Sequence, residues 1–241
     1  MAADPLHRKK VVIVGGTSGI GLAVAGAALE RGANVVVASS QSAGVETALG
    51  RLGKGAEGST IDVNDEPDVA GFFERLGTFD HLVFTAGDWG GMGGGAALAE
   101  LDLSAARAAF GVRFWGALAV VKHGYGQIAA GGSITLTDGM LAHRPRKGAP
   151  VSTAMLGAIE SLTRSLAVDL APVRVNCVCP GLVMTERSSA MPEAVLQRFT
   201  GRLPLARGAE PAEVAEAYLY LMRGGYTTGQ VLKVDGGGSI V

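Results

Sequence analysis

The sequence is poor in cysteine, has almost no net charge, and has no long apolar run. Two cysteines occur in 241 residues, at 177 and 179, alternating through Val178 in an apolar, strand-like stretch. Residues two apart on one strand face are too distant for a comfortable disulfide. Two sulfurs without further ligands also make a poor metal site. Cys177 and Cys179 therefore read as small buried hydrophobes, and no metal is expected. A formal net charge of −1 gives no bulk attraction for nucleic acid or an anionic membrane surface. The only basic run, His7-Arg8-Lys9-Lys10, leads directly into VVIV and reads as solvated residues before a strand. No stretch approaches the roughly 18 apolar residues of a membrane span, and no secretory-length apolar run precedes a cleavage site. The expectation is a cytoplasmic protein with neither nucleic acid nor membrane as partner.

Glycine is what the chain has in excess, 37 residues without a three-residue period, which excludes collagen. The glycines gather at the ends of strand-like runs, where a ligand needs close approach to backbone. GDWGGMGGGAALAE (87–100) reads as a pliable loop, in which Asp88 and Trp89 either line a pocket or form an exposed turn. Short β-branched runs alternate with alanine-rich helical stretches along the whole chain. The pattern predicts strands over 10–15, 33–39, 57–63, 81–87, 132–139, 173–181 and 230–237. Helices are predicted over 19–32, 42–53, 66–77, 101–129, 152–170 and 211–223. Repeated βα units with apolar strands give an α/β fold, a Rossmann-type doubly wound sheet of about seven parallel strands with helices on both faces. No composition break divides the chain, so 1–241 is expected to form a single domain. The segment 182–210 is longer than an ordinary connection and reads as short helices forming a substrate lid.

GGTSGIG (15–21) follows the first predicted strand and opens the first helix. In that setting Gly15, Gly19 and Gly21 allow a tight turn, and Thr17, Ser18 and Ile20 carry the chain into a helix N-terminus that attracts a pyrophosphate. No Lys-[Ser/Thr] follows, so this is not a P-loop. An NAD-selective site usually ends its second strand with a carboxylate against the ribose 2′-OH. Here Ser39 and Ser40 stand there, which leans toward NADP over NAD without an arginine to clamp the 2′-phosphate. Asp62, with Val63 beside it, either accepts from the adenine amino group or is a surface acid. Ala86 and Gly87 would let the fourth strand run beside the cofactor.

Together these features resemble the short-chain dehydrogenase/reductase family. VGGTSGIG is similar to its TGxxxGxG loop, IDV (61–63) to its adenine-contacting segment, and FTAG (84–87) to its NNAG. LTRSLAVDLAPVRVNCVCPGLVMT (162–185) resembles its helix, strand and PG…T segment. The resemblance implies a structural role for Asn176, and it places Pro180 and Gly181 at the turn by the nicotinamide, with Val183 in the same cofactor-binding segment and Thr185 as the carboxamide or phosphate contact. The family's chemistry uses Asn, Ser, Tyr and Lys, and counting along the matched segments puts those positions at Arg113, Asp138 (within one residue), Ser152 and Leu156. A serine hydroxyl is a very poor acid near neutral pH, and Leu156 cannot raise its acidity. Replacement candidates are Arg113, as a holder of anionic substrate or of the diphosphate, with Asp138 as its ion-pair partner or both in a merely structural pair, and His143, either as a proton-transfer group or as a solvated loop histidine. Tyr125 is expected to lie away from the cleft. Two functions stay open at this point: an NAD(P)-dependent oxidoreductase acting on a carbonyl or alcohol by a non-standard proton route, and a catalytically silent dinucleotide-binding or assembly protein. Met155, Ile159, Leu162, Leu166 and Leu170 form an apolar stripe, and the resemblance implies a homodimer or homotetramer through the helices over 101–129 and 152–170.

Overall fold

The computed structural model describes residues 4–87 and 98–241. Seven strands, β1 (Lys10–Val14), β2 (Asn34–Ser39), β3 (Ala56–Thr60), β4 (Phe79–Phe84), β5 (Ile128–Thr137), β6 (Arg174–Pro180) and β7 (Val231–Val234), form one sheet in the order β3-β2-β1-β4-β5-β6-β7. Every pairing is parallel. The helices are α1 (Gly19–Glu30), α2 (Ser42–Leu52), α3 (Glu66–Leu76), α4 (Leu103–Ala108), α5 (Ala117–Gly124), α6 (Pro150–Asp169), α7 (Glu186–Ser189), α8 (Glu193–Thr200) and α9 (Pro211–Arg223).

Burial on both faces explains why the strands are apolar runs and not alternating ones. In β1, Val12 and Val14 point to the core shared with α3, α5 and α6. Val11 and Ile13 point to the other core, with α1, α2 and α9. β2 divides the same way, Val36 and Ala38 from Val35 and Val37. The result is three layers, with a core on each side of the sheet. Strand order reverses between β1 and β4, and the crevice outside the carboxyl ends of these strands is where such sheets receive ligands.

Two sequence expectations change in detail. The helix anticipated over 101–129 is broken into α4, a π-helical turn (Gly111–Gly116), α5 and a 3-10 turn (Tyr125–Gln127). Trp115 N–H donates to Phe110 O across five residues, the bond that defines the π geometry. The TAG segment and the Asp62-Val63 pair lie just beyond β4 and β3, where the chain leaves the sheet. The segment 182–210 does contain short helices, α7 and α8. Asp88, Trp89 and most of the glycine-rich patch lie outside the described residues. No helix among the described residues is long and apolar enough to cross a membrane.

Candidate active site

The carboxyl ends of β1 and β4 are pressed together. A Cβ on Gly15, whose φ is +88°, would sit 2.7 Å from Ala86 Cα and 2.8 Å from Thr85 C. A Cβ on Gly21 would fall on the carbonyl of Gly15 and lie 2.5 Å from Thr85 Oγ1. The Thr85 hydroxyl donates to Gly15 O at 3.0 Å, with Val14 O at 3.3 Å, which pins the glycine turn to β4. Ser18 is the N-cap of α1, yet its side chain makes no cap bond, and the first turn holds no acidic residue. The first-turn amides therefore meet an open, electropositive end. Thr17 is half-buried and Ser18 exposed at the turn. This open helix end, set beside a glycine turn packed tightly on β4, fits the diphosphate of a dinucleotide.

The other residues named from the sequence surround the same sheet edge. Ser39 is half-buried and Ser40 exposed at the end of β2. Asp62 is exposed, accepting from its own neighbour Asn64, while Val63 is buried against Gly116. Gly19 approaches Thr185, whose Cγ2 would be 3.1 Å from a Cβ there, so the cofactor turn touches the segment after β6. Thr185 also caps α7 with Ser188. Gly181 N–H donates to Val234 O at 2.9 Å, and Val183 is buried, bridging to Ala209. Asn176 has the structural role: its Nδ2 donates to Thr227 O at 2.8 Å and its Oδ1 accepts from Gln230 N at 3.1 Å.

Where proton transfer would be sought, Arg113, Asp138 and Ser152 are all buried. Arg113 leaves the π-helical turn and lays its guanidinium on Gly87, so that a Cβ on Gly87 would be 2.7 Å from its Cζ. Ser152 and Leu156 occupy successive turns of one face of α6, and Leu156 Cδ1 lies 3.4 Å from the Cβ position of Gly139. Asp138 continues the face of β5 that carries Ile134 and Leu136, under α6. Among the described residues neither of its carboxyl oxygens has a hydrogen-bond partner, so the anticipated ion pair with Arg113 is not what satisfies it. Burial, and then the facing Glu160 carboxyl, push Asp138 far above the usual carboxylate range. His143 is not a solvated loop residue: its Nε2 lies 2.6 Å from Glu160 Oε1. A carboxyl oxygen of Asp138, a ring nitrogen of His143 and Cys179 Sγ all lie within 4.8 Å of one another. Tyr125 is exposed in its 3-10 turn.

Sequence reasoning passed over Glu160 and Cys179 as members of this region. Glu160 was findable, since 152, 156 and 160 recur at a spacing of four on one helix face. Cys179 reaches Asp138 only through the β5–β6 register, which pairs Thr137 with Val178. Nothing in the sequence gives that pairing.

The family model described as enoyl-(acyl carrier protein) reductase matches residues 14–239. The short-chain dehydrogenase/reductase ucsE of an Acremonium species is 37% identical, over 99% of this chain and 98% of the relative. A crystal structure of a small-chain dehydrogenase in complex with NADPH superposes with a TM-score of 0.81 at 34% identity, covering 97% of this chain and 100% of that one. The apo structure of a short chain oxidoreductase from Pseudomonas aeruginosa PAO1, described as containing an atypical catalytic center, gives a TM-score of 0.87. It is 29% identical and covers 96% of this chain and 97% of that one.

Proposed function

Because the chain belongs to the short-chain dehydrogenase/reductase family of oxidoreductases, we propose that it is an NADP-linked member that reduces a carbonyl, or oxidises the matching alcohol, with Asp138 as the proton-transfer group. A bound nicotinamide dinucleotide supplies the hydride chemistry. The residues to hold it are Gly15, Thr17, Ser18, Gly19, Ile20 and Gly21 at the diphosphate and Ser39 and Ser40 at the 2′ position. Asp62 and Val63 follow at adenine, Ala86 and Gly87 along β4, and Pro180, Gly181, Val183 and Thr185 at the nicotinamide. The NADPH complex of the small-chain dehydrogenase and the lack of an acid at the end of β2 both favour NADP over NAD. We treat the chain as one domain, with 182–210 as the substrate lid.

One observation carries the proton assignment. Asp138 is a buried acid, held neutral by its surroundings, at the carboxyl end of β5 beneath the helix that bears Ser152 and Leu156. A carboxylic acid kept protonated near neutrality can donate where a serine hydroxyl cannot. Arg113, lying flat on Gly87 next to the cofactor strand, fixes an anionic part of the substrate. The Pseudomonas relative with its atypical catalytic center supports the reading that this scaffold works without the usual residues. The apolar groove between α4, the π-helical turn and the start of α6, bordered by Leu98, Leu103, Phe110, Trp115 and Val151, supports a homodimer through that face. The silent reading is favoured by one fact, that the buried faces at 152 and 156 offer no acid of useful strength.

The test is calorimetric titration with NADPH and NADH, followed by NADPH oxidation across neutral and acidic carbonyls. NADPH is expected to bind more tightly than NADH, and Asp138→Asn to lower turnover by roughly 10²-fold or more. Failure of both dinucleotides to bind overturns the proposal. NADPH binding with no turnover by any carbonyl selects the silent reading.

A further inference from the structure

Asp138 is only 3% exposed, so a donor at this position has no direct contact with water from which to regain its proton. Its surroundings supply a path. The Glu160 carboxyl faces it, and a carboxyl oxygen of Asp138 lies within 4.8 Å of a ring nitrogen of His143. Glu160 in turn lies 2.6 Å from His143 Nε2. Exposure grows outward along this line: the Glu160 side chain is 12% exposed and that of His143 22%. Arg164 Nη1, 3.6 Å from Glu160 Oε2 and largely in solvent, holds the other oxygen of the middle group in place. Among the described residues the titratable and charged groups around Asp138 are Glu160 from α6, with Arg164 behind it, His143 from the turn after β5, Cys177 and Cys179 from β6, and Tyr218 from α9. Asp235, beyond β7, acts on Cys179. Burial pushes both thiols upward, so they stay protonated and do not conduct.

We propose that His143 and Glu160 form a proton relay that returns a proton from solvent to Asp138 after each turnover, an inference that rests on Asp138 being the donor. In the direction of reduction, the Asp138 O–H bond breaks as the substrate oxygen takes its proton, leaving a carboxylate. The His143 imidazolium gives its Nε2 proton to Glu160, and the neutral Glu160 passes a carboxyl proton to Asp138. Neutral His143 then takes a proton from the solvent. One proton is consumed for each carbonyl reduced, and both electrons come with the hydride. Serine and leucine at 152 and 156 leave the cofactor side of α6 without such a path, and the relay runs from the opposite direction, two turns along the same helix.

The experiment uses the whole chain without substrate or cofactor. Infrared spectroscopy at pH 7 should show a protonated carboxyl C=O band that disappears in Asp138→Asn. On mixing into deuterium oxide, the band should shift within the mixing time in the wild-type protein. His143→Ala and Glu160→Leu should slow that shift at least tenfold, and added imidazole should restore the rate in His143→Ala only. Glu74→Gln, on the exposed face of α3, should change nothing, and the amide band reports that each variant is folded. Absence of the band, or unchanged exchange in both variants, overturns the relay. The readout is independent of turnover, so a relay that fails while Asp138→Asn still abolishes reduction leaves the proton donor in place and removes only its route.

Discussion

Gly21→Ala should damage the protein at two levels, and Gly26→Ala, five residues along the same helix, should not. A methyl at 21 meets the Gly15 carbonyl and lies 2.5 Å from Thr85 Oγ1 and 2.9 Å from Gly15 C. Two of those atoms are backbone, and the third is held by its bonds to Gly15 O and Val14 O, so none moves freely. Overpacking of this kind costs about 1–3 kcal/mol, and loss of the Thr85 bonds adds about 1 kcal/mol. Alanine's helical preference over glycine returns at most ~1 kcal/mol. The net loss is about 1–4 kcal/mol, or roughly 2–16 °C in Tm for a chain of this size. At position 26 the nearest atom to a new methyl is Leu52 Cδ2 at 4.0 Å, so only the helical preference acts, and Tm should rise by about 1–4 °C. Differential scanning calorimetry measures both. The Gly15 turn must shift to admit the methyl, so NADPH affinity should fall with Gly21→Ala and hold with Gly26→Ala. A Gly21→Ala protein as stable as wild type, or two variants equally impaired, would refute the packing argument.

Three further outcomes are expected. Asp138 gains stability from its neutral form: the contribution is complete below 3.8 and is lost as pH rises through about 8. Urea unfolding midpoints of wild type should therefore fall between pH 5 and 9 relative to those of Asp138→Asn. His81 behaves in the opposite sense. It is buried with Nδ1 2.9 Å from Ser133 Oγ, and burial pulls it down to about 4 from 6.5, so its contribution is present above 6.5 and lost as pH falls from there toward 4. His81→Gln should flatten that acid limb in the same urea series. Arg174 donates to Leu221 O at 2.6 Å and Met222 O at 2.9 Å, closing the last turn of α9. Arg174→Met should cost about 2–4 kcal/mol by chemical denaturation, without altering dinucleotide affinity.

The layered architecture was legible because its strands are buried on both faces. VVIV and VVVA read as strands wherever both sides are covered, and the alternation with helical stretches forces parallel pairing. The glycine turn was legible for the same reason that Gly21→Ala should fail, since no other residue fits between two backbones. What stayed hidden was lateral. The meeting of Asp138 with Cys179 depends on strand register, and the His143–Glu160 contact depends on how a three-residue 3-10 turn folds back on α6. Neither follows from local periodicity. The long helix over 101–129 was misread because a π-helical turn has no signature in the spacing of apolar residues, and Gly111 and Gly116 alone do not announce one.

That π-helical turn carries a genetic consequence. A π turn holds one residue more than the α turn it replaces, so it behaves as a tolerated insertion. In an ordinary helix, removing one residue would rotate everything beyond it by about 100° and would turn the buried face of α5, Val120 and Val121, out of the core. Removing one residue between 111 and 116 should instead restore α geometry and leave α5 in register. Only the local swing that brings Arg113 onto Gly87 would be lost. The arginine can thus be gained or surrendered by a single codon's insertion or deletion, with the rest of the fold indifferent to the change.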